Sequence, residues 1–181
     1  MAHSLELILD DPSDQQVRDE WAVLAEAGLP HQGRVASTTN RPHVTLIAAS
    51  TIDPGADAAL TPAAMRLPVD MMLGAPLVFG NGRRSTLARL VVPTTELLSI
   101  HTQVDRLAAE FLGRDSSPAF AHTQPGRWTP HVTLARRLDP DQLAHALGIL
   151  DLRAEIAGSF VALRRWDPDA GVDHILPGRA C

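Results

Sequence analysis

Tyrosine is absent from this chain, and cysteine occurs once, as the final residue Cys181. A single thiol excludes an intrachain disulfide, and its terminal position argues against a catalytic thiol. Only four Phe and three Trp are present, so aromatic faces on which a base could stack are few. Basic charge is not in excess either, because the formal net charge is −5. A protein that grips long nucleic acid carries a basic face. Here any such patch must be local, and no long duplex is expected as a ligand. No apolar run approaches the roughly 18–20 residues that span a bilayer. The segment Met1–Glu6 lacks a basic region followed by an apolar stretch, so it is not read as a secretory signal. A cytoplasmic monomer with no membrane partner is expected. The sequence has no GxxxxGK[ST] loop and no HExxH, which leaves NTP hydrolysis and zinc proteolysis without support.

What the chain does have is a repeated pentapeptide. Pro42-His43-Val44-Thr45-Leu46 returns unchanged as Pro130-His131-Val132-Thr133-Leu134, 88 residues later. In a strand, alternate residues share a face. Each copy therefore projects a His and a Thr side by side, with Val and Leu turned into apolar packing. Two such strands facing one another would gather two imidazoles and two hydroxyls around one small polar site. Imidazole takes up or releases a proton near neutral pH with little perturbation. One His can act as base and the other as acid, while Thr hydroxyls donate to phosphate oxygens as charge develops. The arrangement suits acid–base chemistry on a phosphate, with no metal or cofactor required. His3, His31, His101, His122, His145 and His174 have no repeated context. His101 and His145 fall in helices without a second ligand at i+4, so a metal cluster is not expected.

The elements around the motifs repeat too. Ser4–Leu9 reads as a strand, and Ser13 with Gln16 as a capping box opening a helix that ends at Gly28-Leu29-Pro30. His43–Ala49 is the first motif strand, followed by a short Ala-rich helix near 56–66. Val69–Leu73 and Ala75–Phe79 read as a strand pair. Leu87–Val92 opens the second half. Leu97, Ile100, Val104, Leu107 and Phe111 mark an amphipathic helix. Trp128–Ala135 is the second motif strand, and Asp139-Pro140 begins the next helix. Leu152–Ile156, Phe160–Trp166 and Val172–Leu176 read as strands. The length of 181 residues, with 45% apolar and 20% charged residues, fits one packed domain or two small lobes. The best candidate boundary is Gly80–Ser85, giving pseudo-twofold lobes of about 1–82 and 83–181.

The two His-x-Thr-Leu motifs, half a chain apart in a duplicated α+β order, resemble the two-histidine (2H) phosphoesterase superfamily. The nearest look is its 2′-5′ RNA ligase-like, or RNA 2′,3′-cyclic phosphodiesterase, branch. The resemblance implies a duplicated bilobal α+β fold with two antiparallel sheets facing a central cleft and helices outside. It implies His43 and His131 as catalytic residues and Thr45 and Thr133 as phosphate contacts. The second motif of that branch often continues into Arg, as His131-Val132-Thr133-Leu134-Ala135-Arg136 does. Strand parity instead turns Arg137 inward, so Arg136 and Arg137 are both candidate substrate contacts. Arg83 and Arg84 are expected in a solvated turn, and Phe79, Trp128 and Trp21 in the core. The implied substrate is the cyclic phosphate of a nucleotide or RNA end, opened to a 2′-phosphate. The alternatives are a 2′-5′ RNA ligase and a binding module without catalysis.

Overall fold

Apolar residues fill the strand His3–Leu9 (β1) along one whole face, and Asp10 ends it by capping the helix that follows. The Asp10 side chain accepts from Ser13 N at 2.9 Å and Ser159 N at 2.5 Å, so the N-cap is Asp10 rather than the expected Ser13. The computed structural model describes residues 2–80, 83–113 and 118–179. Cys181, Asn81, Gly82 and the centre of the loop expected over 113–126 lie outside the described residues. After β1 come α1 (Asp11–Glu26), β2 (His43–Ala49), α2 (Ala56–Ala64), β3 (Val69–Gly80) and β4 (Ser85–Val91). The second half continues with α3 (Thr95–Ala108), β5 (His131–Leu138), α4 (Pro140–Ile149), β6 (Ile156–Asp167) and β7 (Val172–Pro177). Asp139 and Gln142 form a reciprocal capping box at the start of α4.

The α+β class and the four helices agree with the sequence reading, but the two expected sheets are one. Strand order is β2-β1-β6-β3-β4-β5, with β7 added on β6, and every pairing is antiparallel. The join is made by two 12-residue strands. β3 merges the expected pair Val69–Leu73 and Ala75–Phe79, while β6 extends the expected Phe160–Trp166 back to Ile156. The strand expected over Leu152–Ile156 is instead a turn up to residue 155. β3 pairs with β6 over Val69–Leu73 and with β4 from Leu73, the β4 register shifting past Gly74 and Ala75 before it resumes at Pro76. β6 leaves β3 and meets β1 at Phe160. Each long strand changes partner midway, which a local pattern does not reveal.

The helices are exchanged between the halves. α1 packs with α4 and against β5, whereas α3 packs with α2 and against β2. One apolar cluster results, including Leu5, Leu7 and Leu9 of β1, Val44 and Leu46 of β2, Val132 and Leu134 of β5, and Trp21 and Val104 of the helices. Buried Arg89 of β4 ties these layers, donating to Glu20 of α1 and to the carbonyls of Asp151 and Ala154 at 2.9 Å.

The motif strands β2 and β5 are the two ends of the sheet path, and they approach one another. Each outer edge is closed by a tryptophan from the opposite half. Trp128 Nε1 donates to the Thr45 carbonyl at 2.8 Å, and Trp21 Nε1 to the Thr133 carbonyl at 3.2 Å. Trp128 also stacks flat on buried His101, with centroids 4.0 Å apart. Trp128→Phe keeps the ring stack and deletes the donor, leaving a carbonyl unsatisfied. Urea denaturation is expected to show a loss of about 1–3 kcal/mol. An unchanged midpoint would show that water replaces the indole.

Candidate active site

The register of the two motif strands matches residue for residue. On β1 and β2, Ile8, Leu7, Glu6 and Leu5 face His43, Val44, Thr45 and Ile47. On β4 and β5, Leu90, Arg89, Ala88 and Leu87 face His131, Val132, Thr133 and Ala135. Both pairs skip one residue after the threonine, Leu46 in one strand and Leu134 in the other, so each motif carries the same β-bulge. Val44, Leu46, Val132 and Leu134 are fully buried, as expected, while both His and both Thr remain partly accessible.

The two imidazoles are held alike. His43 Nδ1 lies 2.7 Å from the Arg41 carbonyl, and His131 Nδ1 lies 2.7 Å from the Thr129 carbonyl. A carbonyl only accepts, so Nδ1 carries the hydrogen in each ring and Nε2 is left for proton transfer. Both anchors belong to residues that precede proline, which confines their backbone to extended conformations. Pro42 and Pro130 thus act through the carbonyl before them.

The surroundings differ. Beside His43, Glu6 Oε1 stands 3.6 Å from Nε2, and Glu6 forms a buried ion pair with Arg164 of β6. Burial alone would raise the Glu6 carboxyl, but the charges of His43 and Arg164 and hydrogen bonds from Ser4 and Arg164 outweigh it and bring it below its usual range. His131 instead packs against the Phe79 ring, with centroids 4.7 Å apart. Its pKa is lowered, chiefly by burial, against the Thr129 hydrogen bond and with help from the charges of Arg136, His122 and His43. Glu6 and Arg164 escaped the sequence reading, although a lone Glu within Leu5-Glu6-Leu7-Ile8-Leu9 is a visible irregularity.

The bulge at Leu134 also corrects the parity argument. One extra residue moves the following side chains to the other face, so Arg136, rather than Arg137, falls on the His131–Thr133 face. Both arginines are exposed. Arg137 adopts φ 63°, unusual for a residue with a side chain, and its carbonyl accepts from Arg84 Nη1 at 3.1 Å. The first motif has Ala48 where the second has Arg136. Arg83 and Arg84 are exposed, as expected for a turn. Trp21 is buried as expected, whereas Phe79 and Trp128 are only partly so. Among the described residues, His3, Asp167 and Asp169 lie close enough together to share a metal ion. His3 faces Ala49 at the opposite end of β1 from the Ile8–His43 pair, so this group is not part of the motif site.

A family model described as the 2′-5′ RNA ligase superfamily matches residues 11–171. No curated protein matches the sequence. Among solved structures, Escherichia coli LigT in its apo form superposes with a TM-score of 0.57 at 17% identity, covering 97% of this chain and 93% of that one. LigT complexed with 3′-AMP gives 0.54 at 14% identity, with the same coverage of 97% and 93%. Kluyveromyces marxianus Usb1 gives 0.51 at 17% identity, with 97% of both chains covered. At these identities the likeness is one of fold.

Because its folded pKa is lowered, His131 adds stability that is complete above the unfolded value of ~6.5 and is lost as pH falls through the folded value. An NMR titration is expected to place the His131 midpoint below ~6.5. Arg136→Ala is expected to move it upward, and Arg137→Ala to leave it in place. The reverse response would restore the simple parity of the strand.

Proposed function

The chain belongs to the 2′-5′ RNA ligase superfamily, and on that premise we propose that it opens 2′,3′-cyclic phosphates of nucleotides or RNA ends without a metal. The observation that carries this reading is the matched pair of Nδ1-anchored imidazoles, one per motif, each with Nε2 left to exchange a proton and a Thr two residues on. The complex of LigT with 3′-AMP supports a nucleotide as the ligand class.

In this mechanism His131 is the base. Burial and neighbouring positive charge favour its neutral form, and Nε2 takes a proton from water as the water oxygen bonds to phosphorus. The bond from phosphorus to the ribose 3′ oxygen breaks. His43, beside the Glu6 carboxylate, supplies the proton that this oxygen takes up. The products are a 2′-phosphate and a 3′ hydroxyl, and the two imidazoles have exchanged protonation states. Thr45 and Thr133 donate hydrogen bonds to the non-bridging oxygens, where charge accumulates. Arg136 adds positive charge on the His131 side. Run in the same direction with a ribose 5′ hydroxyl in place of water, the same groups would join two ends through a 2′-5′ phosphodiester as the 3′ oxygen leaves, which is the ligation named in the family's description.

His43→Ala and His131→Ala are each expected to lower kcat by ~10²–10⁴-fold in a folded protein. Thr45→Val and Thr133→Val are each expected to cost about 10²–10³-fold. Steady-state assays with cyclic mononucleotides and cyclic-phosphate-ended oligonucleotides measure all four. EDTA is expected to leave the rate unchanged. Near wild-type turnover in a folded His131→Ala protein would end the two-histidine reading, and loss of activity in EDTA with recovery on adding a divalent ion would replace it with metal-bound hydroxide.

A further inference from the structure

The symmetry of the two motif strands breaks at one position in the register. Glu6 faces Thr45 across β1 and β2, whereas Ala88 faces Thr133 across β4 and β5. One imidazole has a carboxylate beside it, and the corresponding place next to the other is filled by a methyl group. The carboxylate is closely held. Glu6 is 3% exposed. Its Oε1 accepts from Ser4 Oγ at 2.5 Å and its Oε2 from Arg164 Nε at 2.7 Å. Arg164, also 3% exposed, is held in turn by the Thr39 carbonyl at 2.7 Å and by Asp173 Oδ2 at 3.5 Å. Its Nη2 reaches to 3.4 Å from His43 Nδ1. The charged groups about this ring are thus Glu6 from β1, Arg164 from β6 and, across the sheet ends, His131 from β5. Asp173 of β7 meets Arg164.

A buried ion pair is a poor source of stability, because desolvation costs as much as the attraction returns and an apolar pair of similar volume packs as well. Stability therefore does not account for a Glu–Arg pair at this place. Its location does. Two histidines with identical anchors give a phosphate no distinction between donor and acceptor, yet the reaction needs one ring charged and one neutral at the start.

We propose that Glu6 is a positioning residue for His43, holding the edge of the ring that carries Nε2 so that this nitrogen meets the leaving oxygen. The inference rests on the acid–base reading above. Arg164 fixes the carboxylate so that Oε1 stays toward Nε2, and it balances the charge left when the proton departs. Among the described residues the second site has no counterpart of this pair, and its imidazole packs on Phe79.

The test is a double-mutant cycle in kcat and KM with a cyclic mononucleotide. Glu6→Gln keeps the shape and an oxygen for Arg164. It is expected to lower kcat about 10–100-fold, less than the ~10²–10⁴-fold cost of losing the histidine itself, while KM changes little. In a His43→Ala background the same substitution is expected to cost nothing further, since Glu6 acts through that ring. Should Glu6→Gln leave Arg164 unpaired and the fold weakened, Glu6→Gln combined with Arg164→Met removes both charges and is expected to fold with the same loss in kcat. Wild-type kcat in either folded variant overturns the proposal. So does a loss that persists undiminished without His43, which would mark Glu6 as structural. If the unaltered protein opens no cyclic phosphate, the reading of the whole site falls and this inference with it.

Discussion

Two indole N–H groups hold the ends of this sheet, and the placement of the site follows from them. An edge strand exposes a row of unpaired backbone groups, which proteins must cover or disguise. Here both ends of the strand path are motif strands, with β7 a further edge on β6. Trp21 and Trp128 each donate to the carbonyl of a motif threonine, and each comes from the half of the chain that does not contain that threonine. The Thr backbone is thereby fixed while its hydroxyl stays available on the other side of the strand. The exchange of α1 and α3 between the halves is what brings these indoles into reach, since α1 packs against β5 and α3 against β2. Neither half can complete its own motif strand alone.

The same economy of means sets the rings. A proline before each histidine straightens the residue ahead of it, and that residue's carbonyl takes the Nδ1 hydrogen. What stands beside Nε2 comes from elsewhere in the chain, as Glu6 does for His43. The Nδ1 anchor of each ring is set by three consecutive residues, and a five-residue motif can be duplicated with that anchor intact.

That locality is also why so much was legible in the sequence. The repeated pentapeptide identified the strands, their faces and the four central side chains, and the periodicity of Leu97, Ile100 and Val104 identified α3. What escaped depends on pairing partners far along the chain. The bulge at Leu134 is defined against β4, and it reverses which of Arg136 and Arg137 shares the histidine face. The single sheet depends on β3 and β6 meeting over Val69–Leu73. Glu6 and Arg164 lie 158 residues apart and become partners only when β1 and β6 pair. The strand alternation around Glu6 hinted at an inward-facing charge, but nothing local could name its counter-ion.

Duplication supplies two equal histidines, and the chemistry proposed for them needs two unequal ones. The differences between the halves are therefore more informative than the likeness. They fall at few positions: Glu6 against Ala88 on the inner strands, and Ala48 against Arg136 beyond the bulges. Phe79 adds a ring contact to His131. The first imidazole stands beside a Glu6–Arg164 ion pair, and the second beside an apolar ring and the charge of Arg136. A carboxylate at 3.6 Å attracts a protonated ring, and a nearby guanidinium with a packed phenyl face disfavours one. The backbone repeats through the motif register, so what distinguishes the two imidazoles is the side chains set around them. In the proposed mechanism those side chains are what assign one ring to give a proton and the other to take it.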